Sequence, residues 1–200
     1  DQPPKHEMSF EAMCGLLDQM ADAGCLWVLL TGGEPFLRKD FPDIYRYARA
    51  KGIILTVFTN GSLLREVDAE MFGSLKPFLV EITLYGASPE SYKAVTGRAE
   101  HFEQVLRGID LLRKHGVPLQ LKSMLFRENV HELPKLRELA RSRGLAYRFD
   151  PILGPSTTGH HGLTSHMLSP EEIVSLDLSD EERMKEMGEF CSKFLGAGIR

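Results

Sequence analysis

Phe78-Leu-Val-Glu-Ile-Thr-Leu84 is the stretch on which the fold turns. As a strand it puts Glu81 and Thr83, with Tyr85 beyond them, on one face and Val80, Ile82 and Leu84 on the other. A parallel strand sandwiched between two helix layers is apolar on both faces. One polar face instead implies helices on one side only and a polar, ligand-filled interior on the other. The alternation recurs over 119–125, where Gln120 and Lys122 oppose Leu119 and Leu121. It recurs again over 146–152, where Arg148 and Asp150 oppose Tyr147 and Phe149. The pattern predicts a barrel or partial barrel, against the competing reading of edge strands with a solvated face.

Outward from that strand, short apolar runs alternate with amphipathic segments. Phe10, Met13, Leu16, Leu17 and Met20 have helical spacing over 9–23, closed by Gly24. A strand over 26–30 follows, then a helix capped by Asp40, a strand over 53–58 and a helix over 65–75. Beyond 78–84, Ser88-Pro89 has the cap and first-turn proline of a short helix. A helix over 101–115, a strand over 119–125, a helix over 130–143 and a strand over 146–152 complete the series. Some five rounds of strand and helix predict parallel βαβ units. The expected fold class is therefore α/β, a partial (β/α)6 TIM-like barrel of about five βα units with a short helical tail. Its core spans 1–153. The tail, 154–200, begins as a loop rich in Gly, Ser, Thr and His. The boxes Ser169-Pro-Glu-Glu172 and Ser179-Asp-Glu-Glu182 then start helices near 170–176 and 180–194.

The 200 residues carry 24 Lys+Arg and 28 Asp+Glu, a formal charge of −4, with 42% hydrophobic and 26% charged residues. Slight acidity without a basic tract excludes a duplex nucleic-acid binder. No apolar run approaches the roughly 20 residues that cross a bilayer, and no signal peptide opens the chain. Cys14, Cys25 and Cys191 are too scattered and too few for a disulfide framework, which points to a reducing cytoplasm. The chain opens on Asp1 rather than Met and stops at Arg200 after an apparent helix, so a piece of a longer protein is expected.

Thr31-Gly-Gly-Glu-Pro35 directly follows the 26–30 strand, where a βα barrel places its ligand chemistry. Two glycines let a ligand approach the backbone closely, and Glu34 adds a fixed negative charge suited to an ammonium group. A tight turn closed by Pro35 is the plainer alternative. Thr59-Asn-Gly61 and Thr83-Leu-Tyr-Gly86 end the next two strands in the same manner.

Taken in order, Thr31-Gly-Gly-Glu-Pro35, Thr59-Asn-Gly61 and Glu81-Ile-Thr-Leu-Tyr-Gly86 resemble the radical S-adenosylmethionine superfamily. Residues 84–97 and 122–129 resemble its branch with a C-terminal iron–sulfur extension, the SPASM-type maturases. The resemblance covers about residues 9–155. It implies a 4Fe–4S cluster on a C-x3-C-x2-C loop and reductive cleavage of S-adenosylmethionine to a 5′-deoxyadenosyl radical. That radical takes a hydrogen from a peptide or small-molecule substrate, and a flavodoxin or ferredoxin is the implied electron donor. By the same resemblance Gly32, Gly33 and Glu34, in the loop closed by Pro35, receive the methionyl amino group. Asn60 lies at the rim. Thr83 stands where many relatives carry a serine to the ribose or the methionyl carboxylate, and Tyr85 replaces the aspartate that often follows. Lys122 and Arg148 face inward and pair either with a methionyl carboxylate or acidic substrate, or with Glu81 and Asp150 as interior ion pairs.

The chain departs from the family in having no C-x3-C-x2-C. Its three cysteines read as small hydrophobes, and the resemblance puts the cluster loop before Asp1 and a second cluster beyond Arg200. A cluster-free barrel binding a nucleoside or peptide is the alternative function, and a lyase with Lys122 as a Schiff-base amine is a third. His160, His161 and His166 are read as a polar loop rather than a zinc site. Met184, Met187, Phe190 and Phe194 are read as packing.

Overall fold

The computed structural model describes residues 7–152 and 165–195. Ser9 caps α1 (Phe10–Asp22) by accepting a hydrogen bond from the Ala12 N–H at 3.2 Å, and Gly24, at φ +81°, turns the chain out of it. There follow β1 (Trp27–Leu30), α2 (Phe41–Ala50), β2 (Ile54–Thr59), α3 (Glu66–Ser74) and β3 (Leu79–Thr83). Next come α4 (Pro89–Thr96), α5 (His101–Lys114), β4 (Leu119–Met124), α6 (Leu133–Ser142) and β5 (Ala146–Asp150). A helical pair, α7 (Pro170–Leu178) and α8 (Glu181–Leu195), ends the described chain.

The strands form one parallel sheet in the order β1-β2-β3-β4-β5. Every strand pairs with its neighbour in sequence, so the sheet advances as a barrel wall does and never doubles back. It is open, as a partial barrel is. The two faces have different chemistry. Leu55, Val57, Val80, Ile82 and Leu121 are fully buried against Tyr45, Phe72, Ile109, Leu112 and Leu136 of the helices. The register places Glu81 opposite Gln120, Thr83 opposite Lys122, and Lys122 opposite Arg148 on the other face. β3 and β4 are interior strands, which removes the edge-strand reading of their polar face.

The inner face changes character along the strands. At the N-terminal ends of β1 and β2, Trp27, Leu29 and Ile54 are partly exposed, and the Trp27 ring lies 4.5 Å from that of Phe78. The Trp27 indole N–H donates to Thr56 Oγ1 at 2.9 Å. An apolar floor therefore lies below a charged upper wall.

Several local expectations are revised. Asp40 stands at the cap of α2, but its carboxylate accepts from Arg38 at 3.0 and 2.7 Å and leaves the helix N–H groups alone. The helix expected over 130–143 divides into a 3-10 turn at Val130–Glu132 and α6, because Pro134 suits a helix's first turn. Ser169 and Glu172 form their capping box. In the second box Asp180 replaces Ser179 as the cap, accepting from the Arg183 N–H at 3.3 Å, while Ser179 donates back to the Leu176 carbonyl. Met184, Met187 and Phe190 do not pack into the core: they are 38%, 48% and 62% exposed, and the Phe194 side chain lies outside the described residues. The 15-residue α8 meets chiefly the shorter α7, so this apolar stripe stays exposed.

Candidate functional site at the strand C-termini

At the exit of β1 the chain runs through Gly32, at φ +149°, and Gly33. A Cβ added at either would meet nothing within 4 Å, so this backbone borders open space. Glu34 is buried directly behind it. One carboxylate oxygen accepts from the Thr59 hydroxyl at 2.7 Å and the Phe36 N–H at 3.1 Å; the other accepts from the Asn60 N–H at 2.7 Å. Three of the roughly four acceptor positions of a carboxylate are thus filled by the chain itself. Glu34 lashes the β1 exit to the β2 exit and caps the 3-10 turn that starts at the buried Pro35. Asn60 is part-buried beside it, its Oδ1 accepting from the N–H and hydroxyl of Ser62 at 2.8 and 2.6 Å.

The turn after β2 is pressed from behind by α5. A Cβ on Gly108 would lie 2.3 Å from the Gly61 carbonyl oxygen, and Gly61 itself, at φ +74°, nests against Ile82. Glycine at both positions permits this approach.

A second lashing joins β3 and β4 and depends on residues that the sequence reading did not single out. Asn129 is fully buried. Its amide donates to the carbonyls of Tyr85 and Met124, both at 2.9 Å, and accepts from the Phe126 N–H at 2.7 Å. Glu132, also buried, accepts from the Ala87 N–H at 2.8 Å. Burial raises its carboxyl, but hydrogen bonds from Ser91 and the Ala87 N–H outweigh that and hold it below the usual range. The available signal was Asn129-Val-His-Glu132 ahead of Leu133-Pro134, a polar pair three residues apart opening a helix.

Thr83 lies in the row Thr83–Lys122–Arg148 on the inner face, and its hydroxyl has no hydrogen-bond partner among the described residues. Tyr85 stands above it, its phenol pushed up by burial and by the nearby Glu34 carboxylate. Lys122 and Arg148 sit in ion pairs: Arg148 holds Glu81 through two hydrogen bonds at 2.7 and 2.8 Å, and both cations meet Asp150. The Glu81 pairing raises the Arg148 guanidinium further. The candidate residues therefore form two groups on one rim. Gly32, Gly33, Glu34, Pro35 and Asn60 gather at β1–β2, and Thr83, Lys122 and Arg148 on β3–β5. His160 and His161 lie outside the described residues, and His166 pairs with Glu128.

A one-sided parallel barrel wall with a polar interior and a glycine-rich exit loop belongs to the class of βα barrels that bind ligands at the strand C-termini. Residues 1–140 match the Radical SAM superfamily, and the chain belongs to it. It is 30% identical over 141 residues to the AdoMet-dependent heme synthase of Methanosarcina barkeri, covering 70% of this chain and 40% of that protein. It is 27% identical over 138 residues to the PqqA peptide cyclase of Granulibacter bethesdensis, covering 69% of this chain and 37% of that one. The chain thus spans less than half of these curated relatives. Among solved structures, native anSMEcpe with bound AdoMet superposes with a TM-score of 0.72 at 19% identity, covering 98% of this chain and 55% of the other. Streptococcus suis SuiB bound to precursor peptide SuiA gives 0.66 at 15% identity, covering 74% and 34%. The last two share the fold.

The family works with S-adenosylmethionine and a 4Fe–4S cluster. Cys14 is buried in α1, Cys25 precedes β1 and Cys191 is exposed on α8. Among the described residues no three His, Cys, Asp or Glu side chains are grouped to hold a metal. These residues do not fit a cluster. The open Gly32–Gly33 backbone and the Thr83 hydroxyl, which has no partner among the described residues, do fit a polar nucleoside ligand.

Proposed function

We propose that this chain forms the S-adenosylmethionine cradle of a radical enzyme that acts by hydrogen abstraction on a peptide or small-molecule substrate. A flavodoxin- or ferredoxin-type protein supplies the electron, residues 1–153 form the catalytic core and 154–200 the tail. Bound and reduced by one electron, S-adenosylmethionine would supply a hydrogen-abstracting 5′-deoxyadenosyl group, with methionine as the leaving group. The residues of this chain bind and orient it. The Gly32 and Gly33 carbonyls, with the remaining acceptor position of Glu34, take the methionyl ammonium. Asn60 lines the rim, and Thr83 offers its hydroxyl to the ribose or the carboxylate. Lys122 and Arg148 supply positive charge to a carboxylate. Support for a peptide substrate comes from the PqqA peptide cyclase and from SuiB bound to SuiA.

The observation that carries this reading is the uncluttered Gly32–Gly33 backbone braced from behind by Glu34. Gly33 has no positive φ and no neighbour within 4 Å, so Gly33→Val folds and fills the space a ligand needs. Calorimetric titration of the chain with S-adenosylmethionine is expected to lose about tenfold or more in affinity in that variant. Equal affinity with an unchanged melting temperature would remove the glycine loop from the site.

A further inference from the structure

Four charged side chains share the upper inner face of β3–β5, and they are unequally committed. Glu81 is 3% exposed and gives both oxygens to Arg148. Asp150 is 41% exposed and uses a single oxygen. That oxygen, Oδ2, accepts from Lys122 Nζ at 2.6 Å and from Arg148 Nη1 at 3.0 Å. Oδ1 has no partner among the described residues. The Asp150 backbone is pinned, its carbonyl accepting from the Leu125 N–H at 2.9 Å, so the side chain alone is free to turn. With Asp150 in place the group is neutral. With its carboxylate turned away, Lys122 and Arg148 face Glu81 with one positive charge unmatched.

We infer that Asp150 occupies the carboxylate seat that the proposed function gives to Lys122 and Arg148, until a ligand displaces it. An incoming carboxylate takes over the two donors that now converge on Oδ2, and Asp150 rotates toward solvent. Glu81 keeps Arg148 aimed throughout, because its bidentate grip lies on the buried side. A resident competitor lowers apparent affinity by the fraction of molecules in which the seat is filled. The carboxylate comes either from the methionyl group of S-adenosylmethionine, which rests on the function proposed above, or from a separate substrate.

The sign of one substitution separates this from ordinary ion pairing. Asp150→Asn keeps the shape and removes the competing charge, so it is expected to tighten binding of a carboxylate about tenfold. Lys122→Met added to it abolishes the gain. Three probes are titrated into the full chain: S-adenosylmethionine, 5′-methylthioadenosine (which lacks the methionyl carboxylate) and glutarate. A gain for S-adenosylmethionine but not methylthioadenosine assigns the seat to the methionyl group, and a gain for glutarate without one for S-adenosylmethionine assigns it to a substrate. Asp150→Ser repeats the test should the Asn variant fail to fold. Unchanged or weaker binding of both carboxylate probes in the Asp150 variants overturns the inference, as does a gain shared by methylthioadenosine. A wild-type chain that binds neither nucleoside while glutarate still responds overturns the cradle and leaves the seat standing.

Discussion

Glu34 combines a charge beside open backbone with a set of internal hydrogen bonds, and the second role is the larger. Its oxygens hold Thr59, Asn60 and Phe36, so Glu34→Ala strands two backbone N–H groups at a part-buried rim. An unmade hydrogen bond of that kind costs on the order of 1–3 kcal/mol. Thermal melts of Glu34→Ala are expected to show that loss together with weaker S-adenosylmethionine binding, whereas a ligand-only role predicts weaker binding with an unchanged melt. Asn129 is the purer structural case. Asn129→Asp replaces an amide that donates to two carbonyls by a carboxylate that repels both. Urea denaturation should place it about 3 kcal/mol or more below the native chain.

At the scale of elements, α5 bears on the site although none of its residues faces it. Gly108 lets α5 approach the Asn60–Gly61 turn, and a Cβ there would collide with backbone rather than a movable side chain. Gly108→Ala is therefore expected to cost about 1–3 kcal/mol. It should also weaken S-adenosylmethionine binding, through displacement of the turn; a melt and a titration on the same sample test both. Much of the element series was legible in the sequence because the first three strands run into glycine-bearing turns and helices such as α1, α4 and α7 open on a serine cap. The alternation in β3–β5 revealed the polar face for the same reason, since side-chain period depends on backbone geometry alone. Asn129 and Glu132 were not legible. Their importance comes from reaching across to carbonyls and N–H groups of β3's exit some forty residues earlier in the chain, and nothing local marks that. The same limit applies to Glu34: its charge was evident, while the three donors that fill it arrive by folding.

For the whole molecule, carboxylates set the response to acid. Asp18, Asp40 and Asp150 all sit below the usual aspartate range, and Glu132 below that of glutamate. For Asp40 the Arg38 hydrogen bonds are the main cause. For Asp150 burial acts in the opposite sense and is outweighed by Lys122 and Arg148. A depressed carboxyl pKa means the unfolded chain takes up protons first on acidification. Stability should be level above about pH 5 and fall as pH drops through the folded-state values. Denaturant titrations at stepped pH would show a plateau and then a decline; a rise in stability below pH 5 would contradict the assignment.

The apolar floor of the inner face has an optical consequence. The chain contains a single tryptophan, and Trp27 is that residue, half exposed beside Phe78 at the base of the sheet. The molecule thus carries its own fluorophore, with no label needed. Whatever comes to lie across the floor will dry the indole, shift its emission to the blue and shield it from iodide. Occupancy of the rim above leaves that signal largely unchanged, so one spectrum can distinguish filling from below and filling from above.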